Sequence, residues 1–119
     1  KLRTVSKNAI TSLKAAALHS QWNFQNKVHL LEAEYFSFNG NHEEANASYA
    51  AAITSARSSK FVHEQGLACE CAGFHHKKVG DRGIAWDFFN QAKQCYAEWG
   101  SQMKVGIMAR QLESCQIFV

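Results

Sequence analysis

Cysteine and histidine are the residue types in this sequence that are best suited to binding a metal. The chain has four cysteines and six histidines. Cys71 and His75 are four residues apart, so on a helix they would share one face, as zinc ligands can. A structural zinc site needs two more ligands at recognisable spacing, and the sequence has no Cys-x-x-Cys motif. Because both residues also fall on an apolar stripe, we interpret them as core residues and expect no metal or cofactor.

Catalysis by a cysteine or serine nucleophile needs a neighbouring base that a third group orients. Residues of these types are present, but no pattern indicates a strand end or loop that would expose a nucleophile. A phosphate-binding loop needs a glycine-rich turn that ends in Lys followed by Ser or Thr. The tight glycine pair Gly80-Asp-Arg-Gly83 lacks that ending, and we interpret it as a helix stop and turn. The sequence therefore predicts a protein that is not an enzyme.

Disulfide formation is the remaining chemistry open to the cysteines, which allow three pairings. The cysteines are Cys69, Cys71, Cys95 and Cys115. Cys69 and Cys71 are two residues apart in a helical segment and so point to different sides. The chain also has enough apolar residues to form a core without crosslinks. We expect all four thiols to be reduced, which is typical of a cytoplasmic protein.

Composition favours one packed helical domain. Of the 119 residues, 46% are apolar and 12% aromatic, and there is no proline. Such a chain can bury a core, and long helices are possible throughout it. No apolar run approaches the roughly 18 residues that a bilayer span needs, so we expect no membrane partner.

The net charge of +3 is unevenly distributed along the chain. Residues 1–31 carry five basic and no acidic side chains, whereas residues 32–119 carry eight basic and ten acidic ones. Arg3, Lys7 and Lys14 fall opposite the apolar positions of the first segment, which is typical of a solvated helix face. Nucleic-acid binding needs a basic stripe interleaved with aromatics. Because acidic residues outnumber basic ones after residue 31, we expect no nucleic-acid partner.

Regularly spaced turns divide the chain into six predicted helices. Turn residues recur at 19–23, 39–41, 58–60, 79–81 and 99–101, and short connections favour antiparallel neighbours. Apolar residues recur at helical spacing between these turns. The predicted stripes are Phe24, Val28, Leu31, Tyr35 and Phe38; Ala45, Tyr49, Ala52 and Ala56; Ala68, Cys71, Ala72 and His75; Ala85, Phe88, Phe89, Ala92, Tyr96 and Trp99; and Val105, Met108, Ala109 and Leu112.

The sequence also matches itself when it is shifted by forty residues. The shift superimposes five pairs: Gly40 on Gly80, Asn41 on Asp81, Ala45 on Ala85, Tyr49 on Phe89 and Ala52 on Ala92. A glycine can adopt the left-handed conformation that ends a helix, and Asn or Asp can cap the next one. Alanines mark points where paired helices approach closely. The pattern predicts a helix–turn–helix repeat.

This pattern resembles the tetratricopeptide repeat. The resemblance lies in Gly40-Asn-His-Glu-Glu-Ala45 followed by Tyr49 and Ala52, and in Gly80-Asp-Arg-Gly-Ile-Ala85 followed by Phe89 and Ala92. The period is forty residues instead of thirty-four, and the usual Pro at the end of the second helix is absent.

A second resemblance covers roughly residues 12–113. It lies in His19-Ser-Gln-Trp-Asn-Phe24-Gln-Asn-Lys27, Leu30-Leu-Glu-Ala-Glu34, Lys60-Phe-Val-His-Glu64, Tyr96-Ala-Glu-Trp-Gly100 and Lys104-Val105. These stretches are similar to the helical-repeat segment of large multidomain signalling ATPases. Such proteins join a protein-kinase-like domain, a predicted ATPase, the repeats, and a sensor with a histidine kinase or cyclase output. The resemblance implies a platform role in signal transduction.

Taken together, these patterns predict an all-α, tetratricopeptide-like α-solenoid that forms a single domain. Its parts would be a leading helix (1–20), repeat one (21–60), repeat two (61–100) and a terminal half-repeat (101–119). The predicted function is a non-catalytic protein-interaction scaffold inside a larger cytoplasmic signalling protein. The alternative is a small helical sensor that binds a metal or cofactor, because cysteine and histidine share a predicted helix face.

Six residues form the predicted partner surface. Outward positions on the first helices of the repeats are Glu34, Glu70, Phe74 and Lys77, and the uncovered end of the array carries Ile117 and Phe118. The partner would be a protein segment or a neighbouring domain of the same polypeptide. An uncovered apolar end often marks an interface, so we also expect weak self-association through Ile117 and Phe118.

Overall fold

The computed structural model of the chain describes residues 21–116, with side chains from residue 26 onward. Five helices occupy this range, and it contains no strand. The all-α prediction is confirmed for these residues. The predicted leading helix at 1–20 lies outside them, so five of the six expected helices are seen. They are α1 (Gln21–Phe38), α2 (His42–Ser58), α3 (Val62–Lys78), α4 (Arg82–Trp99) and α5 (Gln102–Ser114).

The chain divides into two compact units, with the boundary between Lys60 and Phe61. In the first unit, α1 packs against α2. In the second unit, α4 packs against both α3 and α5. The boundary coincides with the predicted division between residues 21–60 and 61–100.

The turns that end α1 and α3 have the same backbone geometry, forty residues apart. Gly40 and Gly80 have φ angles of 78° and 91°, in the left-handed region that glycine adopts without steric cost. Asn41 N–H donates to Phe36 C=O at 2.9 Å, and Asp81 N–H donates to His76 C=O at 2.8 Å. These bonds satisfy carbonyl groups that a helix end leaves open.

Capping of the following helices differs between the two turns. The Asp81 side chain accepts a hydrogen bond from Ile84 N–H at 3.2 Å, as an N-cap residue does. Asn41 occupies the N-cap position of α2, but its side chain makes no capping bond. The prediction of a side-chain cap is therefore confirmed at Asp81 and wrong at Asn41.

The ends of α2 and α4 also correspond across forty residues. Lys60 has φ 62°, and Gly100 has φ 101°. In the described part of the chain, Lys60 is the only residue other than glycine that has a positive φ. After Gly100, the Ser101 hydroxyl accepts a hydrogen bond from Lys104 N–H at 3.3 Å and so caps α5.

The core of the first unit matches the predicted α2 stripe better than the predicted α1 stripe. Ala45, Tyr49, Ala52 and Ala56 of α2 are all buried, as predicted. On α1, Val28 is buried, but Leu31 and Tyr35 are half-buried and Phe38 is exposed. The small or polar residues Asn26, Ala33 and Ser37 are buried on α1 in addition to Val28. Small side chains suit a close helix approach, so apolar periodicity alone misplaced this face.

Two glycines allow α3 and α4 to approach closely in the second unit. A Cβ atom at Gly66 would lie 3.1 Å from Cys95 and Tyr96 atoms, and one at Gly73 would lie 2.7 Å from the Phe89 ring. Ala68 and Ala72 are buried as predicted, whereas Cys71 is half-buried and Cys69 is fully buried. The placement of Cys71 in the core was therefore wrong, because the glycines turn the packed face of α3 toward Cys69.

Large aromatics of α4 are less uniformly buried than their spacing predicted. Phe89 and Tyr96 are buried, Phe88 is half-buried and Trp99 is exposed. Trp99, the last residue of α4, stacks on His63 with ring centroids 4.7 Å apart. The assignment of Trp99 to the core was therefore wrong, since a helix end lies at the margin of the packed region.

Helix α5 has one buried residue, Met108, which is fully inaccessible. The other members of its predicted stripe, Val105, Ala109 and Leu112, are half-buried. Cys115, which follows the helix, is buried. Helix α5 is thus only partly covered within the second unit.

Candidate functional site

One stripe of side chains runs along α3 in the second unit. Leu67, Glu70, Phe74 and Lys77 follow the spacing i, i+3, i+7 and i+10, which places them on one helix face. Leu67 and Phe74 are each 41% exposed. Exposed apolar side chains one heptad apart on a helix are the arrangement that helix and peptide ligands commonly bury. We call these four residues the α3 stripe.

Glu70 is held in place by residues from two other helices. Its carboxylate accepts a hydrogen bond from the Tyr96 hydroxyl of α4 at 2.6 Å. The Lys104 ammonium of α5 lies 3.0 Å from the same carboxylate and 5.1 Å from the centroid of the Tyr96 ring. Such charge-assisted contacts are stronger than neutral hydrogen bonds. Glu70 therefore has a fixed orientation before any partner arrives.

Burial keeps the Tyr96 hydroxyl protonated in this cluster. Removal from water raises the pKa of Tyr96, and the hydrogen bond to Glu70 and the negative charge of that carboxylate raise it further. The phenol thus acts as a hydrogen-bond donor to Glu70 at any physiological pH.

Lys77 makes a second connection between α3 and α5. Its ammonium donates to the Gln111 side-chain oxygen at 3.0 Å and to the Ser114 hydroxyl at 2.9 Å. Glu70 and Lys77 are seven residues apart on α3, and Lys104 and Gln111 are seven residues apart on α5. The two connections therefore set α3 and α5 parallel to each other and fix their register.

Phe74 lies between these two polar connections. Its ring meets the buried Phe89 ring edge to face, with centroids 5.0 Å apart and an interplanar angle of 79°. Edge-to-face contact is a favoured aromatic geometry. One side of Phe74 is thus anchored on the core, while the rest of the ring stays open to a ligand. An aromatic held in this way loses little conformational entropy on binding.

The structure brings three of the six predicted partner residues together. Glu70, Phe74 and Lys77 share the α3 stripe. However, Glu70 accepts a hydrogen bond from α4 and Lys77 donates one to α5, so neither side chain points only into solvent. Glu34 lies in the first unit, where it is exposed and accepts a hydrogen bond from the Tyr49 hydroxyl. Ile117 and Phe118 lie outside the described residues.

Sequence reasoning missed Leu67 and the α5 residues that complete the surface. Leu67 could have been found, because it precedes Phe74 by one heptad on the same helix face. Lys104, Gln111 and Ser114 could not, since they are 34 to 37 residues from their α3 partners. No local pattern in the sequence indicates which polar residues will pair across that distance.

Potential metal ligands are dispersed over the described residues. No group of three His, Cys, Asp or Glu side chains in residues 21–116 is arranged to hold a metal ion. His75 is buried beside His76, with ring centroids 5.2 Å apart, and His76 stacks on Phe88 at 5.3 Å. The His76 ring therefore packs α3 against α4.

The cysteines are present as thiols, with Cys69, Cys95 and Cys115 buried and Cys71 half-buried. The Cys69 thiol donates to the Gln91 side-chain oxygen at 3.9 Å, which links α3 to α4. Within the part of the chain that the structure describes, no helix is both long enough and apolar enough to cross a bilayer.

Comparisons of the chain with known protein families, with curated proteins and with solved structures give no match.

Proposed function

We propose that this chain is a non-catalytic protein-interaction scaffold, built from two tetratricopeptide-like helical repeats of forty residues. Support for the repeats comes from the equivalent turns at Gly40 and Gly80. It comes also from matched burial, since each pair of equivalent residues is inaccessible to solvent. These pairs are Ala45 and Ala85, Tyr49 and Phe89, and Ala52 and Ala92.

The main support for the proposal is the α3 stripe, which combines exposed apolar side chains with fixed polar ones. Leu67 and Phe74 expose apolar surface that a partner would remove from water. Because each is 41% exposed, its burial contributes on the order of 1 kcal/mol, less than half of the value for a fully exposed side chain. Glu70 and Lys77 border that surface with their side chains already oriented. A preorganised surface with a central aromatic is typical of protein-binding sites.

The proposed partner is an apolar segment of a neighbouring domain or of another protein. It would cover Leu67 and Phe74 and take further hydrogen bonds from the polar groups beside them. The similarity of stretches such as Tyr96-Ala-Glu-Trp-Gly100 to large signalling ATPases supports a place within a cytoplasmic signal-transduction protein.

A peptide-display selection on the purified 119-residue chain tests this proposal. We expect enrichment of peptides with two apolar anchors, and their affinity should fall roughly tenfold or more for the double variant Leu67→Asp, Phe74→Asp. The matched control is Ile84→Asp, Trp86→Asp, because those α4 side chains are 41% and 38% exposed. This control should bind like the parent chain.

Three results would overturn the proposal. The first is the absence of enriched peptides, and the second is an equal loss of binding in both double variants. The third is a stoichiometric metal or chromophore, found by elemental analysis and absorption spectroscopy of the purified chain. That third result would support the sensor alternative.

A further inference from the structure

The two exposed apolar residues of the α3 stripe are spaced to meet a second helix. Leu67 and Phe74 are each 41% exposed. They are seven residues apart, so they lie about 10.5 Å apart along the α3 axis. A helix presents residues on one face at that same seven-residue spacing. A β-strand presents residues on one face about every 6.6 Å, so no pair of its side chains matches both anchors. The spacing therefore favours a helical partner.

The polar residues beside these anchors are already bonded within the second unit. The Glu70 side chain is 12% exposed, and its carboxylate contacts the Tyr96 hydroxyl and the Lys104 ammonium. The Lys77 ammonium donates two of its three protons to side chains of α5. An extended ligand would need hydrogen bonds for its backbone N–H and C=O groups, whereas a helix satisfies most of them internally. This surface therefore suits a helix better than an extended backbone.

Helix α5 adds one apolar side chain to this surface. Ile107 is half-buried. It lies three residues after Lys104 and four before Gln111, which places it on the face of α5 that contacts α3. Ile107 on α5 and Phe74 on α3 therefore both lie between the two polar connections that join these helices. A helix lying along the α3 stripe would also contact Ile107.

The α3 stripe carries a positive charge at its C-terminal end. The ion pair with α5 neutralises Glu70, but within the described residues Lys77 is bonded only to neutral side chains. The Asp81 carboxylate in the following turn caps α4, and Arg110 and Glu113 of α5 carry opposite charges. A carboxylate on the partner would therefore complement Lys77.

We infer that the segment bound by the α3 stripe is an amphipathic α-helix that lies antiparallel to α3. Two of its apolar residues, seven positions apart, cover Leu67 and Phe74, and an acidic residue one turn before the Phe74 contact faces Lys77. The antiparallel direction places that acid in the first turn of the partner helix, where a carboxylate also stabilises the helix N-terminus. This inference rests on the proposed function and adds the secondary structure, direction and charge of the partner.

An alanine-rich 18-residue peptide with leucines at positions 5 and 12 and glutamates at positions 1 and 2 provides the probe. We call it the helical peptide. Fluorescence anisotropy should show that it binds the intact 119-residue chain saturably. Replacing its alanine at position 9 with proline breaks the helix between the anchors and should weaken binding roughly tenfold or more. A proline-rich peptide whose leucines are three positions apart, about 9.3 Å in the polyproline II conformation, should also bind more weakly.

Variants of the chain test where the helix lies. Ile107→Ala should weaken binding of the helical peptide roughly threefold or more. Val105→Ala should leave binding unchanged, because Val105 is also half-buried but lies on another side of α5. Replacing both peptide glutamates with glutamine should weaken binding to the parent chain about twofold to fivefold, and by less to Lys77→Met. Circular dichroism should show all three chain variants folded like the parent chain.

Three outcomes would overturn the inference. One is binding of the proline variant or the proline-rich peptide as tightly as the helical peptide, and another is no saturable binding of the helical peptide. The third is a concentration-dependent doubling of mass without peptide that Phe74→Asp suppresses, because the occupant would then be a second copy of this chain. Absence of enriched peptides in the display selection would instead remove the proposed function itself, so the two failures are distinguishable.

Discussion

The Lys104 ammonium lies 3.0 Å from the Glu70 carboxylate and joins α5 to α3. Both side chains are partly buried, and the Tyr96 hydroxyl from α4 binds the same carboxylate. One acidic residue thus connects three helices of the second unit. This cluster positions the polar side of the α3 stripe, so its strength bears on both stability and binding.

A double-mutant cycle with Glu70→Gln and Lys104→Met should measure a coupling free energy of about 1 kcal/mol. Partial burial places this pair at the upper end of the range for ion pairs that contact water. Denaturant unfolding of the four proteins gives the value. Lys93→Met, on α4, is the control and should show no coupling to Glu70. A Glu70–Lys104 coupling no larger than that of the control would mean that the ion pair does not stabilise the second unit.

Alkaline pH should destabilise the chain through Tyr96. The folded state raises the pKa of this phenol, so its stabilising contribution is complete below the unfolded value of about 10 and is lost as pH rises above that value. The free energy of unfolding should fall by up to about 1.4 kcal/mol per pH unit from this group alone. Tyr96→Phe should lack that component. Identical alkaline slopes for the parent chain and Tyr96→Phe would contradict the buried hydrogen bond to Glu70.

Replacing glycines with alanine should have opposite effects at two positions in helices of the second unit. Gly73→Ala should destabilise the chain by roughly 1–3 kcal/mol, because its Cβ would fall 2.7–2.9 Å from the buried Phe89 ring. Gly106→Ala should stabilise it by about 0.5–1 kcal/mol, since alanine favours helix and, among residues 21–116, no atom of another element lies within 4 Å of the added Cβ. Thermal unfolding of both variants measures the difference. A stabilising Gly73→Ala would remove the close crossing of α3 and α4.

The end of α2 should be improved by glycine. Lys60 adopts φ 62°, a conformation that costs a residue with a Cβ about 1 kcal/mol or more. Lys60→Gly should therefore stabilise the chain by about 0.5–1 kcal/mol, although glycine also gains freedom in the unfolded state. The reciprocal change Gly100→Lys should destabilise it by about 1–2 kcal/mol. Chemical denaturation that gives both changes the same sign would exclude equivalent left-handed caps at the two positions.

Local sequence signals were sufficient for α2 to α5 and the turns that separate them, but the turn predicted at 19–23 was wrong at residues 21–23, which begin α1. Gly40 and Gly80 could be placed because a left-handed helix end favours glycine, and alanines spaced along α2 and α4 marked the packed faces. Both features are decided within about ten residues of sequence. The boundaries of α2 to α5 followed from these signals.

The packed face of α3 and the candidate site were less predictable. Glycine carries no hydrophobic side chain, so periodicity did not assign Gly66 and Gly73 to the core, and Cys71 was chosen in place of Cys69. The exposure of Trp99 depends on its position at the end of α4. The bridges from Glu70 to Lys104 and from Lys77 to Gln111 arise only when α5 packs beside α3.

We propose that the α3 stripe binds a protein segment. The most direct test of this claim is amide chemical-shift mapping of the isotope-labelled 119-residue chain, titrated with a peptide from the display selection. We predict that the largest changes occur at Leu67, Glu70, Phe74 and Lys77, and that Leu67→Asp with Phe74→Asp abolishes them. Changes centred on Ile84 and Trp86, or none at saturating peptide, would contradict the claim.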